Sequence, residues 1–246
     1  MASEPLHILD TQVELASAGI LKRAELARLI DYALVKPSHT SRDIERACEE
    51  VARHGIGVLC VLPPFVELAA KRLKGTGSRV CGVVAFPFGA SPTEVKAREA
   101  ELVVARGAAE VDFVMNIPLF KSGKYECVAR DLEEVVEAAK RAGEREGREV
   151  IVKVIIETGY LTPEEIMEAS KLVEEAGADY VKTCTGFGPR GATIEDVRLI
   201  LKAVKRARVK AAGGISTYER ALEFIRAGAS RIGTSHALEI LEGAPL

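Results

Sequence analysis

EAGADYV, residues Glu175–Val181, recurs in altered form as RGAAEVD (Arg106–Asp112) and RAGASRI (Arg226–Ile232), and more loosely as RHGIGVL (Arg53–Leu59). Each copy follows one grammar. A helical pattern ends, a glycine follows, then a small residue, then a strand pattern begins. Glycine suits that place because a helix C-terminus often needs a left-handed residue. Outward from these junctions, short β-branched runs alternate with longer helical ones. The strand patterns are Arg28–Leu34, Gly57–Leu62, Val80–Ala85, Val111–Asn116, Val150–Ile156, Tyr180–Thr183, Val209–Ala211 and Arg231–Gly233. Helical patterns fill residues 41–54, 64–74, 92–106, 125–142, 163–176, 193–205 and 217–227. Several open on a start signal: Thr40-Ser41, Ser91-Pro92-Thr93-Glu94, Thr162-Pro163-Glu164, and Ser216-Thr217 ahead of Glu219. Strands separated by helices imply parallel pairing through crossover helices. The repeated junctions fit a closed barrel or a doubly wound sheet.

The chain has 246 residues. That suits an α/β barrel of about 250 residues, and no Pro/Ser-rich linker divides it. The expected fold is therefore a single-domain (β/α)8 TIM barrel over residues 29–246. An N-terminal helical extension, residues 1–28, would precede it and cover the barrel bottom. Hydrophobic residues make up 48% and charged residues 28%, enough for a sizeable core. The net charge of −2 argues against a nucleic-acid partner. No membrane partner is expected: the apolar run VLCVL (Val58–Leu62) is far short of a bilayer span, and MASEPLHILD does not read as a signal peptide. The five cysteines are widely spaced with no C-x-x-C, and the four histidines show no H-x-x-x-H pairing. Reduced thiols in the cytoplasm are expected, with neither a disulfide framework nor a bound metal.

Charged residues interrupt the strands. VIVKVII carries Lys153, YVKT carries Lys182, the seventh run carries Lys210, and VDFVMN carries Asp112 and Asn116 on one face. Burying an isolated lysine costs several kcal/mol unless it is paired or neutral. Each lysine alone could be a structural ion pair. Their joint occurrence in strands four to seven favours a shared site at the C-terminal mouth of a barrel. A lysine beside a second cation sheds its proton more readily, and the neutral amine can attack a carbonyl. That is Schiff-base chemistry.

Gly213-Gly214 after the seventh strand and RIGTS (Arg231–Ser235) at the eighth have the makings of a phosphate grip. Backbone N–H groups, a helix start and the hydroxyls of Thr234 and Ser235 would supply its donors. Gly186-Phe187-Gly188-Pro189-Arg190-Gly191 formally matches a dinucleotide fingerprint. It lies after the sixth strand, and the following strand carries Lys210 where an acidic residue is needed, so a flexible loop over substrate is the better reading. The basic run Leu201–Lys210 reads as a solvated helix end.

KVIIETGYLT (Lys153–Thr162), GADYVKTCTGF (Gly177–Phe187), VKAAGGIST (Val209–Thr217) and GASRIGTS (Gly228–Ser235) together resemble the deoxyribose-phosphate aldolase family, class I aldolases on a (β/α)8 barrel. The resemblance runs from about Leu29 to the C-terminus, with the motifs in the family's order. It implies cleavage of 2-deoxy-D-ribose 5-phosphate to D-glyceraldehyde 3-phosphate and acetaldehyde, without a metal or organic cofactor. It also implies roles. Lys182 matches the Schiff-base lysine, Lys210 the second lysine, and Asp112 the acid/base aspartate. Gly186, Gly213, Gly214, Gly233 and Ser235 fall on phosphate contacts. Asp31, Cys60, Lys153 and Thr185 fall on the pocket lining. The resemblance further suggests a homodimer or homotetramer with small-molecule sugar phosphate and aldehyde substrates as its partners. Three positions depart from the pattern: Ala33 lacks the hydroxyl common after the first-strand aspartate, Phe187 stands where some relatives have lysine, and Cys184 replaces a common serine.

Overall fold

The structure, a computed structural model, describes residues 21–246. Its strands are β1 (Ile30–Leu34), β2 (Val58–Val61), β3 (Arg79–Val84), β4 (Glu110–Val114), β5 (Ile151–Ile155), β6 (Tyr180–Lys182), β7 (Arg208–Ala212) and β8 (Arg231–Thr234), closed into a parallel barrel in chain order. Closure comes from β1 pairing with β8, with Asp31 opposite Gly233 and Tyr32 opposite Thr234. The helices are α1 (Arg23–Leu29), α2 (Ser41–His54), α3 (Val66–Arg72), α4 (Thr93–Ala105), α5 (Ile117–Lys121), α6 (Tyr125–Arg145), α7 (Pro163–Glu175), α8 (Ile194–Ala203), α9 (Tyr218–Arg226) and α10 (Ala237–Gly243). The expected barrel is therefore present. No helix among the described residues is long and apolar enough to cross a membrane.

Local chemistry sets the helix starts. Thr40, Thr162 and Thr217 accept from the backbone N–H three residues on, and Asp43 and Glu165 return the bond to complete capping boxes. The Ser91-Pro92 signal behaves differently: Pro92 is the cap residue of α4 and provides no side-chain bond.

Strand boundaries moved for identifiable reasons. Arg28 and Leu29, expected in the first strand, close α1, which buries Leu26, Ala27 and Leu29 against the barrel. Residues 1–20 of the expected extension lie outside the described residues. β3, β4 and β7 each begin one residue early, on Arg79, Glu110 and Arg208. The first two charges pair between neighbouring strands, Arg79 Nε to Glu110 at 3.1 Å, so the strands can start on them.

Two apolar regions result. The larger lies between sheet and helices and includes Val111, Phe113, Val152, Val154, Val181, Val209 and Ile232. The smaller lies inside the barrel, where Val58, Cys60, Cys81 and Val83 fill the β2–β3 side. The other half of the lumen is charged.

Candidate active site

Period-two alternation turns Asp31, Glu110, Asp112, Lys153, Lys182, Lys210 and Arg231 into the lumen, and all seven are buried. Their depth follows from register. Glu110 and Arg231 open their strands at the bottom, while Lys153 and Lys210 sit mid-strand. Lys182 is the last residue of β6, at the C-terminal mouth, opposite Lys210. Asp112 stands opposite Lys153.

Asp112 is the hub. Its Oδ1 accepts from Lys153 Nζ at 2.8 Å and from the Cys81 thiol at 3.1 Å. Its Oδ2 accepts from both Lys182 Nζ and Lys210 Nζ, each at 2.7 Å. The two mouth lysines thus meet on one oxygen. Lys210 also pairs with Asp31, and Lys153 with Glu110 and, at 3.5 Å, with Asp31. Arg231 completes the floor, reaching Asp31 at 3.1 Å and Glu110 at 3.6 Å.

Burial alone would raise the carboxyl pKa values. For Asp112 the ammonium groups of Lys153, Lys182 and Lys210 outweigh it and hold the group well below the usual carboxylate range. Asp31 is likewise lowered against burial, by Lys210, Lys153 and Arg231. Burial would also deprotonate the lysines. Asp112 and Asp31 overcome that for Lys210, and Asp112 leads the same effect for Lys153, so both are raised above the ordinary lysine value. Lys153 and Lys210 are fixed cations and Asp112 a fixed anion.

Above this floor opens a cavity of about 310 Å³. Of the residues anticipated from sequence, Cys60, Lys182, Lys210, Thr185, Gly186, Gly213, Gly214, Gly233, Thr234 and Ser235 line it. Asp31, Asp112 and Lys153 lie beneath it and act on it through the two mouth lysines. Gly233 is required by close approach: a Cβ there would stand 2.8 Å from Ala212 Cβ and 3.0 Å from Lys210 Cε. Lys36, Phe187 and His236 also face the cavity.

The 186–191 loop is anchored, which corrects the expectation of flexibility. Arg190 grips Asp196 at 2.6 and 3.0 Å and the Thr158 carbonyl at 3.0 Å. A Cβ at Gly191 would collide with the Gly213 carbonyl at 2.6 Å. Glu157, buried with φ at +52°, accepts from the Thr185 N–H at 3.0 Å and from its hydroxyl. Glu157 was not singled out from sequence, and neither were Glu110, Arg231's ion pairs, Lys36 or His236. Only Glu110 had a readable signal: in EVD it shares a face with Asp112.

Cys60, Cys81 and Asp112 bring three potential ligand atoms within 4.8 Å of one another. They do not suit a metal ion. Both Asp112 oxygens are occupied by ammonium groups, whose charge opposes a further cation. What the cluster can do is hold one amine at the mouth of a cavity, next to a second cation and a carboxylate. That is equipment for adding nitrogen to a carbonyl and moving a proton nearby.

Comparison with known proteins agrees with this chemistry. The family model described as DeoC/LacD family aldolase matches residues 26–242. A deoxyribose-phosphate aldolase of Thermococcus kodakarensis is 50% identical over 228 residues, covering 92% of this chain and 99% of the relative. One from Thermoanaerobacter sp. is 49% identical over 218 residues, covering 88% and 96%. The structure titled "QR15, an Aldolase" superposes with a TM-score of 0.82 at 42% identity, covering 88% of this chain and 94% of that one. The tetrameric deoxyribose phosphate aldolase of Aeropyrum pernix gives 0.84 at 31% identity, covering 94% and 96%.

Proposed function

The chain belongs to the DeoC/LacD aldolase family, and from that premise we propose that it reversibly cleaves 2-deoxy-D-ribose 5-phosphate to D-glyceraldehyde 3-phosphate and acetaldehyde through an imine on Lys182. The observation that carries this reading is the meeting of Lys182 and Lys210 on one Asp112 oxygen at the cavity floor. Inside the lumen four cations, Lys153, Lys182, Lys210 and Arg231, face three carboxylates, Asp31, Glu110 and Asp112. Arg231, Lys210 and Lys153 each contact two or more of those carboxylates, whereas Lys182 contacts Asp112 alone. Lys182 is therefore the lumen cation with the fewest carboxylate partners, and it is the amine that lines the cavity mouth.

The neutral amine adds to the C1 aldehyde, and loss of water leaves a protonated imine. As the C2–C3 bond breaks, its electron pair flows into that imine, and the C3 hydroxyl loses its proton to a water held by Asp112. Glyceraldehyde 3-phosphate leaves. The remaining enamine is protonated on carbon and hydrolysed, releasing acetaldehyde and restoring the amine. The imine supplies the electron sink, so no metal or organic cofactor is assigned. Addition to the carbonyl draws Lys182 toward the cavity and frees an Asp112 lone pair for the water. Thr185, Gly186, Gly213, Gly214, Gly233, Thr234 and Ser235 hold the phosphate end, with Cys60 beside the reacting carbons. Phosphate binding lies away from the bond that breaks, so it positions the substrate. Lys153 and Asp31 fix the charge of the cluster from below.

The five free cysteines suit a reducing cytoplasm. A homodimer or homotetramer is the assembly assigned, in keeping with the tetramer of the Aeropyrum pernix protein.

Borohydride in the presence of acetaldehyde tests the chemistry. Reduction of the imine leaves an ethyl group on the peptide carrying Lys182, and Lys182→Arg takes up none. An ethyl group mapping to Lys153 or Lys210, or no label at all, would falsify the assignment.

A further inference from the structure

A sugar phosphate brings a charge of about −1.5 to −2 into the cavity at neutral pH. The glycine backbone and the Ser235 hydroxyl offer neutral donors. The buried cations are already committed: Lys210 and Lys153 to carboxylates, and Lys182 to the carbonyl. Phe187, on the loop after β6, brings an exposed ring to the rim and no charge. Among the described residues no carboxylate lines the cavity.

Two further basic side chains do. Lys36 lies two residues beyond β1 and His236 two beyond β8. Those strands are neighbours, with Tyr32 opposite Thr234, so both residues leave adjacent strand ends on the side of Gly233 and Ser235. The His236 ring is engaged through Nδ1 with the Ser235 hydroxyl at 3.2 Å. The Lys36 backbone is fixed by reciprocal bonds with His39, N–H to Nδ1 at 3.2 Å and carbonyl from the His39 N–H at 3.1 Å. Its ammonium makes no ion pair with any described residue. The turn is held and the charge is left available.

Resting on the sugar-phosphate reading above, we propose that Lys36 is the specificity-determining cation of the site, selecting phosphorylated over unphosphorylated substrate by binding the phosphate from the β1 side. An ammonium offers a point charge with three rotatable donors, which suits a phosphate whose orientation is set by the backbone around it.

The test compares kcat/KM for 2-deoxyribose 5-phosphate and for 2-deoxyribose in the native enzyme, Lys36→Met and Lys36→Arg. Lys36→Met lowers the preference for the phosphorylated sugar about 10- to 100-fold, the weight of one charge-assisted hydrogen bond, mainly through KM. Lys36→Arg recovers part of it. A loss shared equally by both sugars would make Lys36 merely structural and overturn the proposal, as would an unchanged preference. Inorganic phosphate, titrated calorimetrically, separates this idea from the substrate assignment. Should the native enzyme form its acetaldehyde imine yet cleave neither sugar, the substrate is wrong. Weaker phosphate binding by Lys36→Met then still upholds the role of Lys36, and equal binding refutes it.

Discussion

Gly233 sits where the β7–β8 contact leaves room for no side chain beyond hydrogen. Ala212 bounds it on one side and the Lys210 stem on the other. Lys210 cannot yield without disturbing the site, because its ammonium is tied to both Asp31 and Asp112. Gly233→Ala therefore shifts Lys210 by a fraction of an ångström, and with it the oxygen shared with Lys182. Catalysis is sensitive to displacement on this scale: about 1 Å can cost about 100-fold. We expect kcat/KM to fall by about that factor while circular dichroism stays native; activity within twofold of the native enzyme would show that the cluster tolerates the shift. Most of this cluster was legible, because lysine and aspartate inside β-branched runs demand a partner. Glu110 and Arg231 escaped notice for the opposite reason. They stand at strand starts, where a charge reads as solvent-facing, and only the closed barrel turns those starts inward onto each other and onto Lys153.

At the level of elements, the loop between β6 and α8 is the part of the site most dependent on distant contacts. Gly186 and Phe187 line the cavity, but their position is set by Arg190, which ties the loop to Asp196 in the first turn of α8 and to the Thr158 carbonyl after β5. Asp196 is buried and also accepts from the Thr158 hydroxyl at 3.0 Å. Arg190→Ala removes that carboxylate's two charge-assisted bonds and releases the loop. Leaving a buried group short of its partner costs about 1–3 kcal/mol, which for a chain of this size lowers Tm by several degrees. KM for the phosphorylated sugar should rise about tenfold, because a loosened loop must be ordered on binding. A Tm drop with KM unchanged would detach the loop from binding. Sequence disclosed glycines here and nothing of the anchor, since Arg190 and Thr158 are brought together only by adjacent strand ends. Of the helices with threonine caps, α2 and α7 were legible down to their first residue, and α8 and α9 were placed one residue early, on the cap itself. α5 was not: five residues give no period to detect.

For the whole molecule, alternation of strands and helices was readable in the local pattern, whereas closure was expected from chain length and the family resemblance rather than from any local pattern. The decisive contacts are between β1 and β8, such as Asp31 with Arg231, which no local pattern connects. Closure also concentrates the charge, and this makes stability depend on pH in a defined direction. Asp31, Glu110 and Asp112 have folded-state pKa values below their unfolded values of 3.8 to 4.5, because the enclosed cations outweigh burial. Their stabilisation is complete above that range and is lost as pH falls through it, where the unfolded chain takes up protons that the folded one refuses. Lys153 and Lys210 are shifted the other way, above 10.5. Their contribution is complete below that value and fades only as pH rises through the raised folded values. The expected profile is a plateau in Tm between these limits with a steep acid edge. Each proton taken up on unfolding contributes about 1.4 kcal/mol per pH unit, so three carboxylates give a slope near 4 kcal/mol per unit below pH 4. Exposed pairs such as Arg46 with Asp43 or Lys71 with Glu67 add little, being screened by solvent. Urea titrations from pH 3 to 7 measure the slope directly. One proton or fewer released per refolding chain at the acid edge would mean that the lumen carboxylates are not held ionised together, and Asp112 would lose its place as the ionised hub of the cluster.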